Sequence, residues 1–391
     1  MSAKIVLPRI MHVGQGAALQ AAEVLKTLQV NQPLIVTDKM MVQLGYVERI
    51  RQSLLEAGIE SSLFADTIPE PTAASIQAGV EMIKEGGFDS IIAIGGGSAI
   101  DSAKAISVVG KLGGQVRDYK FPVDVSTEGL PIIAIPTTAG TGSEVTRVTV
   151  ITDEKSDEKM LCMGLGFMPQ AALVDYELTL SLPPRVTADC GLDALTHAIE
   201  AYVSQKANLF SDAQALTAMR LIGQNLRMAY RQPDNGAARE AMMLGSTLAG
   251  IAFSNASVAL VHGMSRPIGA FFHVPHGLSN AMLLPCITEF STPNAEDRYA
   301  DCARAMGVAT PSDSDVVACQ KLVAELRALN QELCVPSLLA YGIDKEKFLG
   351  LTKTMAEQAL ASGSPLNNPR VPSVEDMVEL YNKVWQEGDN E

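Results

Sequence analysis

Histidine is scarce in this chain, with five among 391 residues, and tryptophan occurs once. No apolar run approaches the ~18 residues that span a bilayer, so no membrane partner is expected. The opening residues lack the charged and apolar blocks of a secretory signal, which points to a cytoplasmic chain. Positive charge is in deficit: 30 basic residues stand against 44 acidic ones, a net charge of −14. With no basic stripe to offset that field, a nucleic-acid partner is excluded. The six cysteines (162, 190, 286, 302, 319, 334) are scattered, without a CxxC pair. They read as reduced packing residues, in keeping with a cytoplasmic protein. What the chain does have is 47% apolar and 19% charged residues, the balance of a well-packed globular protein. At this length one hydrophobic core usually gives way to two, so two domains are expected.

The first half alternates β-branched apolar runs with helical patterns. QPLIVTD (32–38), SSLFAD (61–66), FDSIIAIGGG (88–97) and LPIIAIPTT (130–138) read as strands, as do TRVTVITD (146–153) and AALVD (171–175). Helix-sized intervals imply crossovers and a largely parallel sheet, whose binding sites lie at the carboxyl ends of the strands. After SLPPRVTADC (181–190), with its diproline punctuation, long helical patterns follow almost without β-branched runs. The expected organisation is an α/β domain over 1–180 and an all-helical domain over 181–391.

Two loops carry ligand-binding chemistry. IIAIGGGSAIDSAKA (91–105) runs from strand through a glycine turn into a helix. Gly95, Gly96 and Gly97 let a ligand approach the backbone, and the helix amino terminus favours a phosphate. Ser98 and Asp101 have the spacing of a capping box that would fix the helix start. In IIAIPTTAGTGSEVT (132–146), Thr137, Thr138 and Thr141 are suited to donating to phosphate or ribose oxygens. Asp38 closes an earlier strand, where a carboxylate accepts from ribose hydroxyls and repels a 2′-phosphate; the plainer role is a turn or cap. Together these features favour a dinucleotide.

The histidines are not scattered. His262, His273 and His276 fall within HGMSRPIGAFFHVPHG (262–277), and His197 lies four residues after Asp193 in DCGLDALTHAIEAYVS (189–204). On a helix, i and i+4 share a face. Gly263, Pro267, Gly269 and Pro275 are expected to let the chain bend back between His262 and His276. Asp193, His197, His262 and His276 then offer one oxygen and three nitrogens, a set suited to iron or zinc. Left open on one side, such an ion is a Lewis acid for an alcohol or carbonyl oxygen. The plain alternative for Asp193 is a solvated helix face, with Glu200 one turn beyond His197.

These motifs resemble the iron-containing (group III) alcohol dehydrogenase family, which includes lactaldehyde reductase and propanediol dehydrogenase. The resemblance runs through TDK (37–39), GGGSAID, PTTAGTGSEVT, DALTHAIEAY, GIAFSNAS (250–257), the histidine segment and NPR (368–370). It implies a dehydroquinate synthase-like fold, with a nucleotide-binding α/β domain, a helical domain, and a cleft holding NAD and a divalent metal, iron ahead of zinc. The implied metal ligands are Asp193, His197, His262 and His276. The implied cofactor contacts are Asp38, which goes with NAD over NADP, Gly96, Gly97, Ser98, Thr137, Thr138 and Lys159, with Asp101 fixing the loop. A homodimer or higher homo-oligomer is usual in the family.

Two positions depart from the family pattern. Many members read HxMxH at the start of the long motif, and Arg266 stands here in place of the second histidine. Arginine is no base at neutral pH but grips a carboxylate, sulfonate or phosphonate. An anionic substrate and a structural salt bridge are the two roles open to it. His273 stands where relatives often carry asparagine and is a candidate proton shuttle. The implied reaction is metal-dependent hydride exchange between NAD(H) and a short primary alcohol or aldehyde. A maleylacetate reductase, which generally lacks the full metal set, a sugar-phosphate cyclase, a lyase needing several basic residues, and a catalytically silent NAD-binding protein, which the intact ligand set argues against, are the alternatives.

Overall fold

Short runs of β-branched residues, buried on both faces, build the first part of the molecule. In the computed structural model, which describes residues 2–156 and 158–389, the strands are β1 (Ile10–Val13), β2 (Pro33–Val36), β3 (Ser62–Phe64), β4 (Ser90–Gly95), β5 (Ile132–Pro136), β6 (Val148–Asp153), β7 (Glu158–Met163) and β8 (Ala171–Val174). Six of them form one sheet in the order β1-β8-β5-β4-β2-β3, every pairing parallel. The helices that connect them are α1 (Ala21–Leu28), α2 (Lys39–Gln43), α3 (Tyr46–Glu56), α4 (Gln77–Gly86) and α5 (Gly97–Leu112).

Alternate side chains along a strand point to opposite faces, and both faces are covered. Leu34, Val36, Ile91, Ala93, Ile132 and Ala134 pack on one side with Val80 and Ile83 of α4 and Ile100 and Ile106 of α5. Ile35, Ile92, Ile94, Ile133 and Ile135 pack on the other with Leu25 of α1 and Ile50 and Leu54 of α3. This double cover is what a parallel sheet requires.

The run TRVTVITD does form a strand, but not in this sheet. β6 pairs antiparallel with β7 in a separate hairpin. The few residues between them are too short for a crossover, and burial along β6 alternates rather than being complete.

Residues Val6–Ser181 make one compact unit, and Leu182 onward, with residues 2–5, makes the other. The second consists of α6 (Pro184–Val203), α7 (Leu209–Arg231), α8 (Gly236–Ala256), α9 (Leu260–Phe272), α10 (His276–Ser291), α11 (Glu296–Met306), α12 (Asp315–Glu332), α13 (Lys345–Ala361) and α14 (Val374–Asp389). The diproline begins α6 rather than merely punctuating the chain, since Pro184 takes the first helical position, where its missing N–H costs nothing. Asn208, Asn235 and Ser314 accept from backbone N–H groups at the starts of α7, α8 and α12.

Of the four residues expected to bend the chain, only Pro275 does so, as the N-cap of α10. Gly263, Pro267 and Gly269 all lie inside α9, and the reversal is confined to 273–275. Gly263 serves close packing instead: a Cβ there would come within 2.7 Å of the Pro365 ring. His273 ends α9 in the left-handed conformation, φ 55°, a position that asparagine or glycine fills readily and histidine tolerates.

Candidate metal centre

Helix α6 is apolar nearly all round, with Leu192, Leu195, Ala198 and Ile199 at 1% exposure or less. Yet it also buries Asp193, His197 and Glu200, at 3%, 4% and 3%. Three buried polar groups in such a setting need partners, and α9 and α10 bring them. His262 lies in the first turn of α9, and His276 opens α10.

One ligand atom from each of Asp193, His197, His262 and His276 lies within 4.8 Å of the others. Asp193 Oδ1 stands 3.6 Å from His262 Nε2, 3.7 Å from His276 Nε2 and 3.9 Å from His197 Nε2. These gaps are too long for hydrogen bonds. They suit donors that share one small cation at about 2.0–2.2 Å each. The rings are held from the sides: His197 stacks on Phe253 at 4.2 Å and on His262 at 4.5 Å, centroid to centroid. His276 is the open member, with 43% of its side chain exposed. One carboxylate and three imidazoles, enclosed on one side and open on the other, fit a divalent metal of the iron or zinc type.

The charge states of Asp193 and His276 agree with ligation, while at His262 desolvation is outweighed by Glu200 and Asp193, which raise its pKa. Burial alone would raise the Asp193 pKa, but His197, His276 and His262 outweigh it and hold the carboxyl ionised, below the ordinary range. Desolvation lowers the His276 pKa, and repulsion from His262, His197 and Arg266 lowers it further against the pull of Asp193.

Glu200 is no solvated face. It lies seven residues after Asp193 on the same buried side of α6, and its Oε2 is 2.6 Å from His262 Nδ1. The same carboxylate accepts from the backbone N–H groups of Ala259 at 2.9 Å and Val261 at 2.5 Å. Ala259 is the N-cap of α9 and has no side-chain cap of its own, so Glu200 caps that helix from outside. Holding Nδ1–H of His262 leaves Nε2 as the unprotonated atom aimed at the other ligands. The i+7 spacing from Asp193 was the signal in the sequence that could have found it.

Arg266 lies half-buried one turn after His262, with Nη1 donating to Ser364 Oγ at 3.0 Å. Among the described residues no carboxylate lies within salt-bridge distance of it, so the structural ion pair is absent there. Its charge reaches His276. His273 is exposed and stands outside the four-ligand cluster. Its backbone carbonyl accepts from Tyr341.

The nucleotide-type residues gather in the other unit. Helix α5 starts at Gly97 with Gly96 as N-cap and no side-chain cap, which corrects the expected Ser98–Asp101 capping box. The helix begins before Ser98, so Ser98 is already in the first turn; its Oγ instead accepts from the Glu70 N–H at 3.3 Å. Asp101 turns inward, accepting from Ser143 Oγ at 2.6 Å and from the Val150 N–H at 2.9 Å. It ties α5 to the threonine-rich loop and to β6. Lys104, one turn on, was passed over in the sequence. It is fully buried and donates to Ser143, Thr146 and the Val148 carbonyl. Burial pushes its pKa down to about 8, with Asp101 and Glu144 opposing.

The two loops touch. A Cβ on Gly96 would meet Thr138 at 3.3 Å, and one on Gly97 would meet Thr141 at 2.8 Å. Thr137, buried at 1%, donates its N–H to the Gly95 carbonyl. Asp38 lies at the carboxyl end of β2, where it caps α2 through the Met41 N–H at 3.0 Å. Its second oxygen would stand 3.5 Å from a Cβ placed on Gly95. Lys159 on β7 pairs with Glu70 at 2.9 Å, which links it through Glu70 to Ser98. The helix amino terminus, left without a side-chain cap between these groups, is ready for an anion.

Comparison with known proteins gives a family. Residues 8–176 match the model of iron-containing alcohol dehydrogenase, and residues 187–385 match that of the Fe-containing alcohol dehydrogenase family, C-terminal. Long-chain-alcohol dehydrogenase 1 of Geobacillus thermodenitrificans is 40% identical over 93% of this chain and 93% of its own. Lactaldehyde reductase of Escherichia coli is 36% identical over 98% of this chain and 100% of its own. A solved 1,3-propanediol oxidoreductase superposes with a TM-score of 0.94 at 33% identity, covering 98% of this chain and 100% of that one.

Proposed function

This chain belongs to the iron-containing alcohol dehydrogenase family, and from that premise we propose that it transfers a hydride between NAD(H) and a short aldehyde or alcohol bearing an anionic group. The family is iron-containing and has NAD-dependent members. The observation that carries the reading is the convergence of Asp193, His197, His262 and His276 on one point.

In the helical unit those four residues hold the metal, and Glu200 keeps His262 oriented toward it. When bound, the ion supplies Lewis-acid polarisation of the substrate oxygen. In the α/β unit the first turn of α5 binds the pyrophosphate, and Asp38 accepts from the adenosine ribose, excluding a 2′-phosphate by charge. The nicotinamide carries the redox step, so no enzyme nucleophile is needed.

Arg266 supports the anionic substrate class. Its guanidinium is half-buried near His276, and a single serine hydroxyl, Ser364, is the one hydrogen-bond partner seen for it among the described residues. A half-buried guanidinium offset only through space by Glu200 is costly to keep from water, and a carboxylate, sulfonate or phosphonate on the substrate would pair with it directly.

Metal-stripped protein reloaded with Fe²⁺ should oxidise NADH in the presence of short aldehydes. The same protein held with a chelator should not, and equal rates in the two would refute the reading. In the same assay Arg266→Ala should lower kcat/KM for an anionic aldehyde about 10- to 100-fold, the worth of one charge-assisted contact. A neutral aldehyde of equal length should change by less than about threefold. Unaltered efficiency on the anionic member would remove Arg266 from substrate binding.

A further inference from the structure

Lys104 lies in the second turn of α5 and has no exposed surface. A buried ammonium is costly unless its charge is opposed and its three protons find acceptors. Here they do. Nζ donates to Ser143 Oγ and Thr146 Oγ1, each at 3.0 Å, and to the Val148 carbonyl at 2.8 Å. Asp101 and Glu144 supply the opposing charge. All three acceptors lie in one short stretch, which leads from the threonine-rich loop into β6.

Ser143 is where these bonds cross. An ammonium only donates and an ionised carboxylate only accepts, so the Ser143 hydroxyl takes a proton contact from Lys104 and gives its own to Asp101 Oδ1 at 2.6 Å. Its backbone N–H donates to Thr141 Oγ1 at 3.3 Å. Thr141 in turn lies against the first residue of α5, since a Cβ on Gly97 would stand 2.8 Å from its methyl carbon. Gly96, Gly97, Ser98, Thr138 and Thr141 are partly exposed, whereas Ser143, Glu144, Val145 and Thr146 are buried. An anion at the start of α5 therefore meets the first group, and Lys104 is bonded to the second. With no surface of its own, Lys104 acts on such an anion only through the loop.

We propose that Lys104 is a positioning residue for the nucleotide: through Ser143 it holds Thr141 against Gly97, and so sets the spacing between the threonine-rich loop and the amino terminus of α5 that receives the pyrophosphate. The proposal rests on the nucleotide reading above. Asp101 cannot do this alone, because a carboxylate only accepts and leaves the Val148 carbonyl without a donor.

ADP-ribose carries the pyrophosphate without the nicotinamide, and adenosine carries no phosphate. Both are titrated by calorimetry against the full-length metal-free protein. Lys104→Met, of similar length and without a donor, should weaken ADP-ribose about tenfold or more and adenosine by less than about twofold. Ser143→Ala removes the bridging hydroxyl and leaves the ammonium in place; it should show the same selective loss at about three- to tenfold. In turnover by Fe²⁺-loaded protein, both variants should raise KM for NADH and keep kcat within about twofold of wild type. Wild-type affinity for ADP-ribose in Lys104→Met would overturn the proposal. An equal loss for adenosine would overturn it too, since the whole unit would then have loosened. If the methionine variant does not fold, Ser143→Ala decides by the same two readings. Wild-type protein that binds no ADP-ribose would instead sink the nucleotide reading itself, a separate failure.

Discussion

Replacing Asp193 with alanine is expected to leave a folded protein that retains no iron and reduces aldehydes about a thousandfold more slowly than wild type. Asp193 is the single anion among the four ligands, and its Oδ1 lies within 4 Å of all three imidazole nitrogens. Two effects oppose one another in this variant. The metal-free protein loses a buried carboxylate that is costly to desolvate, so its own stability should change little or even rise. The loaded protein loses the charge that most attracts a dication in a site with little water. Losing several kcal/mol of polarisation at the substrate oxygen corresponds to about three powers of ten in rate. Metal content per chain, measured beside kcat/KM, separates this from misfolding. A variant that keeps its full iron complement and its rate would mean that the ion is held elsewhere.

The four candidate ligands were legible because histidine is rare here. Four of five histidines in two short windows, one with an aspartate at helical spacing, needed no tertiary knowledge to stand out. The sheet was legible for a similar reason, since IIAI at 91–94 and at 132–135 is apolar at every position, as a strand covered on both faces must be. What escaped notice depends on contacts that local pattern does not encode. TRVTVITD reads as a strand either way, and only the brevity of the gap before β7 makes it a hairpin. Ser98 and Asp101 have capping spacing, yet the helix starts one residue before Ser98 because Gly96 and Gly97 already turn the chain. Glu200 looks like an ordinary polar helix residue until α6 and α9 come together. Its role is a property of the packed helices, not of any one segment.

Glu200 separates stability from metal binding most sharply. Glu200→Ala leaves three donors without their acceptor: the N–H groups of Ala259 and Val261 and Nδ1 of His262. Each buried orphan costs about 1–3 kcal/mol, and the amino terminus of α9 also loses a charge that complements its dipole. The sum is about 3–5 kcal/mol once some relaxation is allowed, a fall in Tm of about 10 °C for a unit of this size. Glu200→Gln is the sharper probe. It keeps the volume and one acceptor oxygen, so the helix start should survive with a loss of about 1–2 kcal/mol. A neutral amide does not enforce the Nδ1–H tautomer of His262, and Fe²⁺ affinity should fall about 10- to 100-fold, as when an outer partner of a metal-binding histidine is removed. If the glutamine variant loses Tm but binds iron as wild type does, Glu200 is a helix cap and nothing more. If affinity falls while the metal-free Tm holds, the carboxylate acts through His262, and the start of α9 and the metal centre are controlled by the same side chain.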